Sequence, residues 1–226
     1  MVTVQKRTPL TQQTVLRAAA VLADETGIET FTMRRLAEQL GVEVMSLYYH
    51  LPNKEAVLNG MVDLVFAEIA EALDASERPD AATPANWKPT LRAQILTSRS
   101  VLLRHPWAPG LIESRTSVTL GTARYLDAVV GILHAGGFGY DQIHHAMHAL
   151  GSRAYGFVQE FAEPEGSPDS SMEQLEQMAA LVPNLVGMLR EVAHDDPTST
   201  LGWCDDQFEF EFGLDLLLDG LERVKR

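Results

Sequence analysis

The sequence predicts an all-α protein in two parts, a small N-terminal domain of three helices and a larger helical domain. Apolar residues recur three and four positions apart along most of the chain, as on the buried face of a helix. No segment alternates convincingly between apolar and polar residues, and no hairpin of the Asn-Gly or Asp-Gly type is found. Prolines and glycines cluster between the periodic segments, where loops belong.

The first helix is predicted from Thr11 to about Glu25. The Thr11 side chain can accept hydrogen bonds from the free amide groups at the helix start. Leu10 and Val15 are placed for a hydrophobic staple across the same end. Gly27 follows the last apolar position and is suited to a left-handed cap. Both ends of this helix therefore carry a signal in the sequence.

Two short helices and a longer one follow. The first short helix lies between Thr32 and Gly41, and the second covers about 44–50. The proline that precedes Asn53 disfavours helix in the residue before it, which ends the second short helix. Asn53 can then cap a longer helix that reaches about Leu73.

The remaining chain is predicted as helices separated by polar or proline-containing connections. Residues 75–86 contain two prolines and several small residues and are expected to form a loop. Further helices are expected over about 87–105, 108–113, 117–136, 140–163, 172–190 and 203–224. On this pattern the N-terminal domain covers 1–58, and the larger domain covers 59–226.

The charge distribution separates the two parts. The formal net charge is −13, but residues 1–60 hold six basic and six acidic residues, so the whole excess lies after residue 60. A neutral N-terminal domain with local basic groups can contact phosphate. An acidic body repels polyanions and suppresses non-specific binding elsewhere on the surface. The two parts are therefore expected to have different tasks.

Cysteine usage and hydropathy exclude several classes of protein. The one cysteine, Cys204, excludes a disulfide framework or a cysteine-based zinc site within one chain, and it fits a reducing compartment. No run of about eighteen apolar residues is present to span a membrane. Residues 1–10 lack the apolar stretch of a secretory signal. We expect a cytoplasmic protein without a membrane partner.

The motifs of common enzyme classes are missing from the sequence. There is no glycine-rich phosphate loop, no nucleophile elbow and no His-Glu-x-x-His helix. We therefore expect neither catalytic residues nor a cofactor.

The two short helices, joined by a tight turn at Gly41, have the spacing of a helix-turn-helix, whose second helix enters the major groove of DNA. Ser46 can bond a base edge, and Val44 and Met45 can touch thymine methyl groups. Neighbouring hydroxyl, imidazole and ammonium groups can reach phosphates. The candidate DNA-binding residues are Thr32, Arg34, Val44, Met45, Ser46, Tyr48, Tyr49, His50 and Lys54.

Three motifs in this segment carry a family resemblance, namely TMRRLA at 32–37, LGV at 40–42 and LYYHLPNKE at 47–55. Over about residues 10–60 the chain resembles the DNA-binding domain of the TetR family of transcriptional repressors. The later helices are similar to that family's regulatory domain in length and order, not in motif. The resemblance implies a homodimeric repressor that binds a palindromic operator in double-stranded DNA. It also implies a small-molecule inducer in the C-terminal domain.

The resemblance assigns roles to the candidate residues. It places Thr32, Tyr48, Tyr49, His50 and Lys54 at phosphates, and Arg34, Val44, Met45 and Ser46 near base edges. The tetracycline-binding members of the family have a glutamine and a proline where this chain has Val44 and Met45. A different operator sequence is therefore expected.

A second departure concerns the ligand. The tetracycline-binding members hold a drug-bound magnesium with a histidine in the loop after the fifth helix. The matching stretch here, 112–115, contains no histidine, and His105 lies earlier. Recognition of a tetracycline–magnesium complex is not expected, and no metal site is predicted.

A ligand pocket between the helices of the body is expected. The candidate lining residues are Leu96, Ser100, Leu103, Trp107, Ile112, His148, Ser152 and Tyr155, each of which also fits an ordinary core. His144, His145 and His148 form a dense histidine group, and the first and last have a spacing that can chelate a metal. No nearby residue completes a ligand set. Ordinary helix histidines, or a polar contact to an inducer, are the preferred interpretations.

The last predicted helix carries a wide apolar band that fits either the core or a subunit interface. In the second case it would join the helix predicted at 140–163, with two helices from each chain, in a four-helix bundle. Two alternatives to the ligand-released repressor stay open. One is a helical adaptor that binds a protein partner and never touches DNA, and the other is an activator without a small-molecule switch.

Overall fold

The computed structural model describes residues 10–76, 81–159, 179–192 and 206–225, and within those ranges it contains helices and no strand. The helices are α1 (Gln12–Thr26), α2 (Met33–Leu40), α3 (Val44–His50), α4 (Lys54–Asp74), α5 (Trp87–Leu102), α6 (Ala108–Glu113), α7 (Leu120–Ala135), α8 (Tyr140–Gln159), α9 (Pro183–Val192) and α10 (Asp206–Val224). The all-α prediction is confirmed. No helix in these ranges is both long and apolar enough to cross a membrane.

Packing divides the chain after Phe138, so that α1–α7 form one compact unit and α8–α10 form another. The predicted boundary between residues 58 and 59 falls inside α4 and does not coincide with this division. The boundary between residues 58 and 59 stays a prediction about which residues carry each of the two expected tasks.

Capping groups fix both ends of α1. Thr11 Oγ1 accepts the amide of Thr14 at 3.1 Å, and Thr14 Oγ1 accepts the amide of Thr11 at 2.8 Å. At the other end, Gly27 has a φ of +78° and donates its amide to the carbonyl of Ala23 at 2.9 Å. The two helix ends expected from the sequence are therefore correct to within one residue.

A glycine makes the turn between α2 and α3 possible. Thr32 Oγ1 accepts the amide of Arg35 at 3.2 Å and begins α2. Gly41 has a φ of +64°, a left-handed conformation that residues with a side chain rarely adopt, and its amide donates to the carbonyl of Glu38 at 3.2 Å. α3 packs against α2, and Leu47 on α3 is fully buried.

α4 is the central helix of the first unit. Its 21 residues span about 31 Å, and Asn53 Oδ1 caps its start by accepting the amide of Ala56 at 2.7 Å. The helix packs against α1, α5, α6 and α7. Its side chains are buried along its length, from Val57 near α3 to Leu73. One helix therefore connects the helix-turn-helix segment to the body.

Two helix ends predicted in this unit are wrong. α5 ends at Leu102 rather than at 105, because the chain turns ahead of α6 and Pro106 disfavours helix in the residue before it. α7 begins at Leu120 rather than at 117, because Thr119 Oγ1 caps it by accepting the amide of Thr122 at 3.2 Å.

In the second unit, α8 packs against α10. Gln142 Nε2 on α8 donates to the carbonyl of Val224 at the end of α10 at 2.8 Å. Apolar side chains on one face of each helix are buried. They are Ile143, Ala146 and Leu150 on α8, and Phe210, Leu214 and Leu218 on α10.

The helix predicted at 172–190 is present over residues 183–190, but its predicted start is wrong where it can be compared. Residues 179–181 form a turn, and α9 begins at Pro183, a residue that fits the first turn of a helix. Residues 172–178 lie outside the described residues. The predicted helix ends at 160–163 and 203–205 also lie outside them.

Candidate nucleic-acid interface and ligand cavity

α3 is held to the protein by one side and presents the other to solvent. Leu47 is the buried residue of this helix. Tyr49 is 88% exposed and Met45 is 75% exposed, and Tyr48 is also exposed. Val44, Ser46 and His50 are half-buried. Large apolar and aromatic groups of this kind normally lie in a core, so their exposure on a short helix marks a binding surface.

The ring of Tyr49 meets the ring of His50 edge-on, with centroids 5.2 Å apart and an interplanar angle of 88°. The tyrosine hydroxyl and the imidazole therefore lie side by side at the C-terminal end of α3. Both groups can bond phosphate oxygens, while the start of α3 offers Val44, Met45 and Ser46 to a groove.

The other predicted DNA contacts already have partners within the protein. The Thr32 hydroxyl caps α2, and Arg34 Nε pairs with Glu38 Oε1 at 2.9 Å on the exposed side of that helix. Lys54 Nζ donates to the carbonyl of Phe31 at 2.9 Å and lies 5.6 Å from the centre of the Phe31 ring. An ammonium group has three donors, so Lys54 keeps the capacity for a phosphate.

A buried polar cluster around His105 was not predicted from the sequence. His105 Nδ1 lies 2.8 Å from Asp24 Oδ1 of α1, and its Nε2 lies 3.1 Å from Glu68 Oε2 of α4. The indole of Trp107 donates to the same Asp24 carboxylate, and Arg104 pairs with Glu68 at 3.3 Å. The turn between α5 and α6 is therefore bonded to both α1 and α4. Partners about eighty residues apart in the chain leave no local signal in the sequence.

A second polar contact ties the same region to the start of α4. Arg115, which follows α6, pairs through one terminal nitrogen with Glu55 Oε2 at 2.6 Å. Glu55 lies in the first turn of α4, next to the helix-turn-helix segment. The chain on either side of α6 therefore contacts α4 at two places, at Glu55 in its first turn and at Glu68 in its second half.

A cavity of about 340 Å³ lies between α4, α5 and α7. Its walls are mainly apolar. The lining residues are Asp63, Phe66, Ala67, Ile69, Ala70, Leu73, Asp74, Gln94, Leu120, Gly121, Arg124, Tyr125 and Ala128. A volume of this size falls within the range of about 300–1,000 Å³ typical of small-molecule pockets.

The polar groups of the cavity are few and differ in depth. Gln94 is buried, whereas Arg124 on α7 is exposed. Tyr125 lines the cavity, and burial raises its pKa, an effect that the hydrogen bond with Ser98 partly offsets. Asp63 Oδ1 accepts the amide of Gly121 at 2.8 Å.

None of the predicted ligand residues whose side chains are described lines this cavity. Leu96 and Ile112 are half-buried, whereas Ser100 and Leu103 are exposed. Trp107 is buried, with its indole bonded to Asp24. The backbone of Ser152 and Tyr155 lies on α8, but their side chains lie outside the described residues. Small residues on α4 and α7, such as Ala70, Gly121 and Ala128, are the sequence signal that could have located the cavity.

The histidine group on α8 is exposed. The rings of His144 and His148 stand edge-on with centroids 4.7 Å apart, and His145 Nε2 lies 4.0 Å from Asp141 Oδ1. In the described part of the chain, no cluster of three or more His, Cys, Asp or Glu side chains is placed to hold a metal ion.

α10 carries apolar side chains on two opposite faces. Phe210, Leu214 and Leu218 are buried, whereas Phe208, Phe212 and Leu216 are 63%, 55% and 59% exposed. The rings of the two exposed phenylalanines are stacked, with centroids 6.4 Å apart. We call Phe208, Phe212 and Leu216 the outer stripe of α10.

Family models match both parts of the chain. Residues 15–61 match the model for bacterial regulatory proteins of the tetR family. Residues 79–225 match the model for the tetracyclin repressor-like C-terminal domain. The first match covers the helix-turn-helix segment, and the second covers the chain from before α5 to the end of α10.

Individual proteins are similar over most of the chain. An HTH-type transcriptional regulator of Saccharopolyspora erythraea is 30% identical over 183 residues, which are 79% of this chain and 74% of that protein. The HTH-type transcriptional repressor DrrR1 of Streptomyces coeruleorubidus is 28% identical over 94% of this chain and 77% of its own length. A TetR variant of Acinetobacter baumannii, crystallised in complex with minocycline, is 26% identical with a TM-score of 0.65 and coverages of 96% and 95%.

Proposed function

This chain belongs to the TetR family of bacterial regulatory proteins, and from that premise we propose that it is a transcriptional repressor that binds a palindromic operator as a homodimer and is released by a small-molecule inducer. Regulators of this family are not enzymes. The observation that carries the proposal is the solvent-facing side of α3, where Tyr49 and Met45 are exposed on a helix anchored by Leu47. The proposed partner of this repressor is duplex DNA, so we place its action in the cytoplasm.

Base reading is assigned to the start of α3 and to α2. Val44 and Met45 offer apolar contacts to thymine methyl groups, Ser46 offers a hydroxyl to a base edge, and Arg34 lies beside them on α2. Tyr48, Tyr49, His50, Lys54 and Thr32 are assigned to phosphates, which fix the orientation of α3 without reading sequence.

Dimerisation is assigned to the outer stripe of α10. Three large apolar side chains, more than half exposed, lie at intervals of one helical turn on a helix whose opposite face is already buried. A symmetric pairing of two such helices, with α8 beside them, would remove the stripe from water and form a four-helix bundle.

The inducer site is assigned to the cavity between α4, α5 and α7. The solved relative that binds minocycline supports a small-molecule ligand for this body. The cavity lining contains no histidine, so a tetracycline–magnesium complex is not part of the proposal. The eight residues predicted from the sequence remain second candidates.

α4 is the proposed link between ligand and DNA. Its first turn adjoins α3, and Phe66, Ala70 and Leu73 on its later turns line the cavity. A ligand that moves those turns changes the separation of the two recognition helices, which must stand about 34–36 Å apart to enter successive major grooves. A preference of about 3 kcal/mol for the moved state would weaken operator binding more than a hundredfold.

The proposal is tested by selecting operators from random duplexes and measuring their affinity by fluorescence anisotropy at fixed salt. Tyr49→Ala is expected to weaken binding about 10- to 100-fold, as the loss of a good contact does. The matched control is Tyr140→Ala, which removes another exposed tyrosine, on α8, and is expected to bind as the parent does. Equal affinity of the parent and Tyr49→Ala would contradict the proposed contact between this face of α3 and DNA.

A further inference from the structure

Among the described residues that line the cavity between α4, α5 and α7, Arg124 is the one cation. Arg124 is exposed on α7, and within the described part of the chain nothing forms an ion pair or hydrogen bond with its guanidinium. Arg34 and Arg115 of this unit pair with Glu38 and Glu55, whereas Arg17, like Arg124, has no such partner within the described residues but does not line the cavity. A guanidinium with five unused donors beside an apolar cavity is suited to a planar anion.

The floor of the cavity favours uncharged groups. Gln94 and Tyr125 are polar but uncharged lining residues, since a phenol is protonated at neutral pH and burial raises the pKa of Tyr125 further. The rings of Phe66 and Tyr125, with centroids 5.4 Å apart, form an aromatic wall. A ligand would therefore place its rings inside and its charge at the rim.

Two carboxylates also lie at the rim, and both oppose an anion. Asp63 accepts the amide of Gly121 in the first turn of α7, where the positive end of the helix stabilises its charge. Asp74 is eleven residues further along α4, about 16 Å away along the helix axis. Neither acid pairs with Arg124 in the structure, so the guanidinium stays available.

A narrower inference rests on the proposed function. We propose that the cavity takes an aromatic acid, a flat and largely apolar organic anion whose carboxylate or sulfonate pairs with Arg124 while its rings lie against Phe66 and Tyr125. The charge at the rim, rather than the shape of the rings, then decides which aromatic molecules bind tightly.

A pair of fluorescent dyes that share a ring system separates the charge from the rings. Anilinonaphthalene sulfonate carries an anionic group, and N-phenyl-1-naphthylamine is its uncharged counterpart. The parent is expected to bind the sulfonate about tenfold or more tightly than the neutral dye, because a charge-assisted bidentate contact is added. Equal affinities, or tighter binding of the cationic dye 9-aminoacridine than of the sulfonate, would overturn the proposal.

Arg124→Gln tests the residue itself. It is expected to weaken sulfonate binding about tenfold or more and to leave the neutral dye within about twofold of its parent affinity. The matched control is Arg17→Gln, which removes another exposed arginine of the same unit, on α1, and is expected to leave both dyes unchanged. A loss of sulfonate binding that is equal in the two variants would contradict the assignment to Arg124.

A variant in which a larger side chain fills the cavity tests whether the dyes bind there. Ala70→Trp places a large ring among the lining residues and is expected to abolish binding of both dyes while the circular dichroism and melting curve stay those of a folded helical protein. Undiminished binding in a folded Ala70→Trp variant would place the dyes elsewhere, for instance on the outer stripe of α10, and would overturn the proposal. Operator binding by the parent without dye is measured separately, so a failure of the proposed function is distinguished from a failure of this inference.

Discussion

Adjacent residues of α3 show how one short helix is both anchored and exposed. Leu47 is fully buried, whereas Tyr49, two positions later, is 88% exposed. The sequence predicted this segment well because its spacing and its turn glycine are local features. It did not predict that Lys54 bonds the carbonyl of Phe31 or that Trp107 bonds Asp24, because those partners depend on tertiary packing.

His105 is one of the residues that bond the α5–α6 turn to the rest of the unit. Its two ring nitrogens lie beside carboxylates of α1 and α4, and its side chain is 10% exposed. His105→Ala leaves Asp24 and Glu68 without that partner, so the free energy of unfolding is expected to fall by about 1–3 kcal/mol. Urea denaturation followed by circular dichroism measures the change.

The control for this substitution is His145→Ala, since that side chain is 74% exposed on α8. Its effect is expected to stay below about 0.5 kcal/mol, as for ordinary surface positions. A His105→Ala variant as stable as the control would mean that the carboxylate contacts contribute nothing to the fold.

Helix ends were predictable where a side chain or a glycine marks them. Thr11 marks the start of α1, Asn53 marks the start of α4, and Gly41 marks the end of α2. Each of these ends agrees with the prediction to within one residue. The ends of α5 and α9 were missed, because apolar periodicity continues into turns that only the neighbouring helices define. The cavity was missed for the same reason, since it lies where α4 and α7 approach through small residues on separate parts of the chain.

Close packing at the end of α7 leads to a prediction for two glycines. A Cβ at Gly136 would lie 2.7 Å from Cγ of Trp87, whereas one at Gly131, within α7, would meet nothing within 4 Å. Gly136→Ala is therefore expected to lower the free energy of unfolding by about 1–3 kcal/mol through overpacking. Gly131→Ala is expected to raise it by about 0.5–1 kcal/mol, because alanine favours helix.

Both glycine variants are measured by urea denaturation under the same conditions. The opposite signs are the informative result, since both substitutions add the same methyl group. Equal changes in the two variants would contradict the described contact between Gly136 and the indole ring.

At the scale of the whole molecule, charge and apolar surface are divided between tasks. The acidic excess lies entirely after residue 60, so the segment that bears α1–α3 is neutral while the body is negative. Such a body is repelled by DNA and leaves the contact to the helix-turn-helix segment. Composition gave this division, but the outer stripe of α10 required the structure, because the sequence alone did not separate its core face from its exposed face.

The outer stripe leads to a prediction about assembly. Phe212→Glu places a charge in the proposed interface, so the protein is expected to sediment as a monomer while keeping its helical circular dichroism. The control is Leu181→Glu, at a residue that is 82% exposed and lies before α9, and this variant is expected to stay dimeric. Sedimentation velocity measures both. A monomeric parent, or a Phe212→Glu variant that remains a dimer, would contradict the assignment.

The central claim, that two copies of α3 read successive major grooves on one face of DNA, is tested most directly by changing the spacing of the operator. Inserting about five base pairs between the half-sites of a selected palindrome rotates one half-site by half a turn, whereas about ten restore its face. Affinity measured by anisotropy is expected to fall at least about a hundredfold for the half-turn insertion, because only one recognition helix can then engage. Unchanged affinity for that duplex would contradict it.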